Sequence, residues 1–291
     1  MSFLRRLTTG ETLLADGAMG TMLQAAGLEK GHAPEEMTLD LPDKVLAVHR
    51  GYVDAGSDII LTNTFGANRF RLDKYGLADR VYDISRRAAE IAREAGAPFV
   101  AGSIGPTGEF FAPMGTLTPE GARETFTEQA RGLADGGVDL LVIETMSDLQ
   151  EVEAAIQGAR ESTDLPFLCT MTFQQKLHTV MGVSATEAAE TLFGWGAAAV
   201  GANCGTGPDE VEQVLAQMKQ AVPGAVLIAK PNAGVPRLVK GRTEFDATPE
   251  TMAEYAQRFA QLGVTIIGAC CGSTPEHIAA MAGALGKSRP S

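Results

Sequence analysis

Cysteine is scarce in this chain, with four residues in 291. That is too few for a disulfide scaffold, so the thiols read as free groups or metal ligands. Aromatic side chains are also sparse, at 6% with a single Trp, which narrows the ligands that stacking can hold. Positive charge is in deficit, since 24 basic residues against 36 acidic ones leave a net charge of −12. Such a surface repels a phosphate backbone, and no nucleic acid partner is expected. No apolar run approaches the roughly 18 residues needed to span a bilayer, so no membrane partner is expected either. The stretch Phe3-Leu-Arg-Arg-Leu carries basic residues with no apolar segment behind them. It does not read as a secretory signal, and the expected location is cytoplasmic.

What the chain does contain is a recurring unit. Hydrophobic residues make up 45%, ample for one sizeable core and too many for a disordered chain. Short apolar runs recur at Thr12–Ala15, Asp58–Thr62, Phe99–Ser103, Leu140–Glu144, Phe167–Met171, Ala198–Asn203, Val226–Lys230 and Val264–Gly268. Several are continuous apolar blocks, the pattern of parallel strands buried on both faces. Helix-period stretches lie between them. One opens at Pro42 and closes at Gly56, and another runs from Thr118-Pro119 to Gly136-Gly137. Ser184, Pro208, Thr248-Pro249 and Thr274-Pro275 mark further helix starts.

Eight strand–helix units predict an α/β chain folded as a single-domain (β/α)8 TIM barrel over residues 1–291. The competing arrangement is a doubly wound open sheet, but the first turn, Asp16-Gly-Ala-Met-Gly20, lacks the spacing of a dinucleotide fingerprint. Residues 109–116 and 232–243 read as long loops on the active face, and the end past Gly286 as a flexible tail.

Three of the cysteines fall where a barrel collects its chemistry. Cys204 ends the sixth strand, and Cys270-Cys271 follow the eighth. Both places lie on the C-terminal face. Strand ends two steps apart are roughly 10 Å distant, at about 4.8 Å per step. Side chains of that reach can converge on one ion. Adjacent cysteines inside a regular strand would point to opposite faces, so both must sit where the chain has left the strand, with Gly272 giving the freedom to turn. Three thiolates suit zinc, and three rather than four ligands leave a position open. The other reading is three buried small hydrophobes. Cys169 lies within the fifth strand, so a four-cysteine site is possible but awkward. The four histidines (His32, His49, His178, His277) have no ligand spacing and read as surface or capping residues.

The stretches Leu14-Ala-Asp-Gly-Ala-Met-Gly-Thr, Thr62-Asn-Thr-Phe, Gly102-Ser-Ile-Gly-Pro-Thr-Gly, Ile143-Glu-Thr, Gly201-Ala-Asn-Cys-Gly and Gly268-Ala-Cys-Cys-Gly-Ser-Thr-Pro occur in this order along the chain. With them the sequence resembles the homocysteine S-methyltransferase family over nearly its whole length. The resemblance implies a barrel whose Zn(2+) is held by Cys204, Cys270 and Cys271, with the sulfur of homocysteine completing the coordination. It implies methionine synthesis by attack of that thiolate on a donor methyl. It also implies that Asp16 and Glu144 bind the substrate ammonium and that Gly102 and Ser103 offer backbone N–H groups to its carboxylate. Asn63 and Asn203 are expected to order the site, or to serve turns only.

The family divides by methyl donor. A quaternary ammonium is held best by aromatic faces, and the betaine branch places tyrosines at the positions of Gly66 and Thr145 here. Phe110 and Phe111 are the remaining candidates for an aromatic wall. Asn63-Thr64-Phe65 and Glu144-Thr145 look more like the homocysteine half of cobalamin-dependent methionine synthase, yet no corrinoid or folate module is seen in these residues. The expectation is a homocysteine module that takes its methyl from methylcobalamin on a separate corrinoid-binding protein. The alternatives are a self-sufficient methyltransferase using betaine or S-methylmethionine, and a non-catalytic zinc- and homocysteine-binding module.

Overall fold

A computed structural model describes residues 2–29, 31–239 and 242–287. Eight parallel strands form one sheet: β1 (Leu13–Leu14), β2 (Ile59–Leu61), β3 (Phe99–Ile104), β4 (Leu140–Met146), β5 (Phe167–Met171), β6 (Ala199–Cys204), β7 (Leu227–Pro231) and β8 (Ile266–Ile267). Their order is β1-β8-β7-β6-β5-β4-β3-β2. A parallel bridge from Ala15 to Ile59 joins the two ends, with Asp58 N donating to Leu14 O at 2.7 Å. The chain is therefore a (β/α)8 TIM barrel, as expected. β1 and β8 are shorter than the apolar runs suggest, though pairing continues through Leu13 N to Thr265 O and Gly268 N to Ala229 O, each at 2.8 Å.

Helices cover the outside and start where the sequence signals them. Thr118 caps the helix Pro119–Asp135 by accepting Gly121 N, Ser184 caps Ala185–Gly194, and Thr248 caps Pro249–Leu262. Each supplies an oxygen to a first-turn N–H that has no partner within the helix. Residues 232–243 are not wholly irregular, because Arg237–Val239 pairs antiparallel with Arg242–Glu244. The expected tail lies, past Lys287, outside the described residues, and Lys287 itself is tethered by its Nζ to Asp58 at 2.7 Å.

Side chains alternate along a strand, so one parity fills the lumen. Leu13, Ile59, Phe99, Ala101, Leu140, Val142, Leu168, Ala199, Ile228 and Ile266 form that inner core. The N-terminal helix Phe3–Leu7 stoppers the lower end, with Phe3 edge-on to Phe99 at 5.4 Å between ring centres. Burying such apolar surface contributes roughly 25 cal/mol per Å².

One histidine departs from expectation. His49 is fully buried, because Val45, Val48, His49 and Tyr52 share the inner face of the helix Pro42–Asp54 at helical spacing. Among the described residues neither ring nitrogen has a hydrogen-bond partner, and burial pushes its pKa down to about 4, keeping it neutral. His277 is the capping residue of the four, completing the box with Thr274, and His32 and His178 are exposed.

Candidate functional site

Continuing the inward parity up each strand replaces the apolar lumen with polar groups. Two residues beyond Ala101, Val142 and Ile228 come Ser103, Glu144 and Lys230, and Asn203 lies four beyond Ala199. All four are buried. Ser103, Glu144 and Lys230 floor a cavity of about 440 Å³ at the C-terminal mouth, whose wall includes Asp16, Asn63, Phe65 and the three cysteines.

The backbone brings the cysteines together by leaving regular strand geometry. Cys204 sits at φ +57, a left-handed conformation that costs a non-glycine residue of order 1–2 kcal/mol. The vicinal pair lies beyond β8, where Cys270 N donates to Pro231 O at 2.7 Å and Ala233 N donates to Cys271 O at 2.9 Å. These bonds to the β7 loop let neighbouring side chains converge. Gly272 follows at φ +82, and a Cβ there would run into the Phe245 ring. Ser273 accepts Ala18 N on its Oγ at 3.0 Å, and the Tyr52 hydroxyl donates to Ala18 O at 2.8 Å. The loops after β1 and β8 are thereby locked to one another.

The three Sγ atoms lie within 4.8 Å of one another, with Cys204 and Cys270 at 2.8 Å. Sulfurs around one tetrahedral ion with 2.3 Å bonds would be about 3.8 Å apart, so the spread brackets what a metal needs. Hydrogen bonds from Cys204 and Cys270 lower Cys271 to about 3. Cys204 is raised well above the usual thiol range by its bonds to Cys270 and Cys271 and by burial. Cys270, pulled down by Cys204 but pushed further up by Cys271 and burial, reaches about 12. The cluster alone holds one negative charge readily and resists a second. Three thiolates together require a cation to offset their charge, and a divalent metal fits that donor set.

The carboxylates differ in their partners. Both oxygens of Asp16 are engaged: Oδ1 accepts Lys230 Nζ at 2.6 Å, and Oδ2 accepts Leu61 N at 2.7 Å. Burial alone would lower Lys230, but Asp16 and Glu144 outweigh it and hold the ammonium protonated. Glu144 accepts the Ser103 hydroxyl at 2.5 Å and, more loosely, Asn203 Nδ2 at 3.4 Å. Burial pushes its pKa up to about 7, against the pull of Lys230.

The asparagines behave as buckles. Asn203 Oδ1 accepts Thr145 N at 2.9 Å and the Thr170 hydroxyl at 2.7 Å, while its Nδ2 donates to Thr145 Oγ1 at 2.6 Å and approaches Cys204 Sγ at 3.5 Å. It thus holds Thr145, itself at φ +61, and the tip of β4 against β6. Asn63 Nδ2 donates to Pro34 O at 2.7 Å and Thr38 Oγ1 at 3.1 Å. Gly102 is not brought into the cavity; its Cα faces Leu133 on the helix outside. Ser103 N is already spent on Thr62 Oγ1 at 3.0 Å. Neither Phe110, which is exposed, nor Phe111, buried in the outer core, lines the cavity. Phe65 does, and the Arg71 guanidinium stacks on its ring at 5.2 Å. Motif reading passes over Lys230, whereas counting inward parity from Ile228 finds it.

The family model for homocysteine S-methyltransferase matches residues 13–285. Two curated relatives named methionine synthase, from Mycobacterium tuberculosis and Mycobacterium leprae, are 35% and 34% identical over 94% of this chain. The chain spans about a quarter of their length, 24% in each case. Among solved structures, the metallated form of the homocysteine methyltransferase MmuM from Escherichia coli matches at a TM-score of 0.80 and 24% identity, over 94% of this chain and 96% of that one. A likeness at this identity is one of fold.

Proposed function

The chain belongs to the homocysteine S-methyltransferase family, and from that premise we propose that it methylates homocysteine to methionine with zinc held by Cys204, Cys270 and Cys271. The observation that carries this reading is the convergence of three sulfurs in a cavity that also holds a buried carboxylate, Glu144, with no salt-bridge partner among the described residues. A zinc ion there would supply the positive charge that keeps a substrate thiol ionised near neutral pH, where a free thiol with pKa about 8.5 is mostly protonated.

The chain's own residues do the rest. Glu144, presented by Ser103 and Asn203, receives the substrate ammonium, whose burial would be costly without an anion. Asp16, each of whose oxygens already accepts one hydrogen bond, adds negative charge beside it. Asn63 and the Asn203–Thr145 buckle keep the strand ends in place. The substrate sulfur then bonds to the donor methyl carbon as that carbon's bond to its carrier breaks, and the electron pair stays with the carrier.

The donor we propose is methylcobalamin carried on a protein outside this chain. The similarity to proteins named methionine synthase supports it. So does the cavity wall: Gly66 and Thr145 offer no ring, and the face of Phe65 is taken by Arg71, which leaves Tyr75 as a lone ring in the lining. A quaternary or sulfonium donor would find that single ring and no aromatic cage. The test is metal content of the purified protein together with transfer of labelled methyl to homocysteine from a methylcobalamin protein, betaine and S-methylmethionine. Zinc near one per chain and turnover with the corrinoid donor are expected. Turnover with betaine alone overturns the donor, and no methionine from any donor overturns the reaction.

A further inference from the structure

Arg71 lines the cavity, and the binding of metal and amino acid leaves it unused. Its Cζ stands 5.2 Å from the centre of the Phe65 ring, within the range of a cation–π contact. The arginine is held there by the chain around it. Its Nε donates to Pro106 O at 2.7 Å. Its backbone N donates to Asn68 Oδ1 at 3.1 Å, and Asn68 Nδ2 donates to the same Pro106 O at 3.3 Å. Its charge also reaches two buried carboxyl groups, Glu35 and Glu151, and draws the pKa of each down against the pull of burial.

Phe65 is fixed as well. A Cβ at Gly105 would stand 2.5 Å from its Cε2, so the ring lies against the chain that follows β3. The next position admits no second ring. Gly66 N donates to Glu35 Oε1 at 2.6 Å. A Cβ at Gly66 would stand 3.0 Å from that oxygen and 3.3 Å from Arg71 Cδ, so a side chain there must displace the carboxylate or the arginine. The cavity's other ring, Tyr75, is 41% exposed. An onium group is recognised by ring faces set around it. Here one face already carries a cation, and the place beside it is filled by Glu35 and Arg71. A second cation brought to Phe65 would meet a covered ring and a like charge.

We propose that Arg71 is a specificity-determining residue on the donor side of the cavity: seated on Phe65 as an internal cation, it denies that ring to quaternary-ammonium and sulfonium donors. The inference rests on the reading of the donor as a methyl held on a carrier protein, and it names the residue that enforces that choice. Glu35, by filling the space over Gly66, keeps a second ring from forming a cage with Phe65.

Calorimetric titration with betaine and with its uncharged carbon isostere 3,3-dimethylbutyrate tests this. The two probes share a carboxylate and a shape, so the ratio of their affinities reads recognition of the positive charge. Arg71→Ala should raise that ratio roughly 3- to 30-fold over the wild-type value, the range of one cation–π contact. Arg71→Gln removes the charge and retains a donor for Pro106 O, so it should fold where Arg71→Ala does not and raise the ratio in the same direction. Adding Phe65→Leu to either variant should return most of the gain. A ratio that stays at the wild-type value in both Arg71 variants, or a gain that Phe65→Leu leaves in full, overturns the role of Arg71 and leaves the carrier-bound donor standing. Turnover of betaine by the wild-type protein overturns both.

Discussion

The two ends of the barrel lumen are built from the same strands with the same alternation, and they do opposite things. At the lower end Phe99, Leu140 and Ile228 meet the stopper helix with Phe3 and Leu7. At the upper end the same inward rows continue as Ser103, Glu144 and Lys230, under three converging sulfurs. The lower end is satisfied by packing alone. The upper end is satisfied only in pairs, Lys230 with Asp16 and Glu144 with Ser103, and buried polar groups of that kind are stable only while every partner is present. Stability and chemistry are thereby separated along one axis, so substitutions at the two ends should fail in different ways.

The sharpest break should come from the sulfurs. Cys204→Gly, Cys270→Ala and Cys271→Ala are each expected to abolish metal retention and methyl transfer with the circular dichroism of the barrel unchanged. Cys204→Gly is the informative one: glycine adopts φ +57 freely, so melting should hold steady or rise slightly as activity disappears. Near-normal metal content in any of the three would unseat the site. The opposite end should fail oppositely. Phe3→Ala removes a buried ring packed edge-on to Phe99 and should cost about 3 kcal/mol in denaturant unfolding, the lower end of such losses because a terminal helix can relax. Its KM for homocysteine should stay within experimental error, and a raised KM would mean that the two ends are coupled.

How much of this was legible beforehand follows the same division. The eight strands, their parallel pairing and the helix starts at Thr118-Pro119, Ser184 and Thr248-Pro249 are local patterns, and they are present as expected. The cysteine trio was legible because consecutive parallel strands put the ends of β6 and β8 two steps apart. Asp16 illustrates the limit. Its place at the end of β1 was readable, but its partner Lys230 stands 214 residues away, and only the closed ring makes them neighbours. His49 reads as a surface or capping residue when ligand spacing alone is considered, whereas the helical face it shares with Val45 and Tyr52 buries it. Phe110 and Phe111 are candidates for an aromatic wall in the sequence, whereas in the fold neither lines the cavity and Phe111 turns into the outer core and pairs with Leu117.

Smaller changes at the upper end should sharpen the contrast. Glu144→Gln keeps the shape and removes the charge, so metal should be retained and KM for homocysteine should rise roughly 10- to 100-fold, the range of one charged hydrogen bond. A protein titration also reads this group. Burial raises Glu144 from 4.5 to about 7, so its ionised form is disfavoured in the empty cavity and favoured by a bound ammonium. Binding of the sulfur-free analogue aminobutyrate should therefore strengthen as pH rises through about 7 and then level off. Stability should run the other way, since the raised group contributes most below 4.5 and that contribution is lost towards 7. Binding of aminobutyrate that ignores pH between 6 and 8 would remove Glu144 from the ammonium role.

Ser103→Ala is the mildest of these changes and separates position from charge. Ser103 donates to Glu144 at 2.5 Å, and that bond draws the carboxyl's pKa down against the pull of burial. Removing the hydroxyl leaves the carboxylate in place with one donor fewer. KM for homocysteine should rise only a few-fold, about 1 kcal/mol for a single hydrogen bond. The midpoint of aminobutyrate binding against pH should move to a higher value than in the wild-type protein, because the ionised form has lost a partner. A variant that merely loosened packing would weaken binding at every pH by the same factor and leave the midpoint where it was. An unmoved midpoint would therefore reduce Ser103 to a filler of space and leave Asn203 as the donor that presents Glu144.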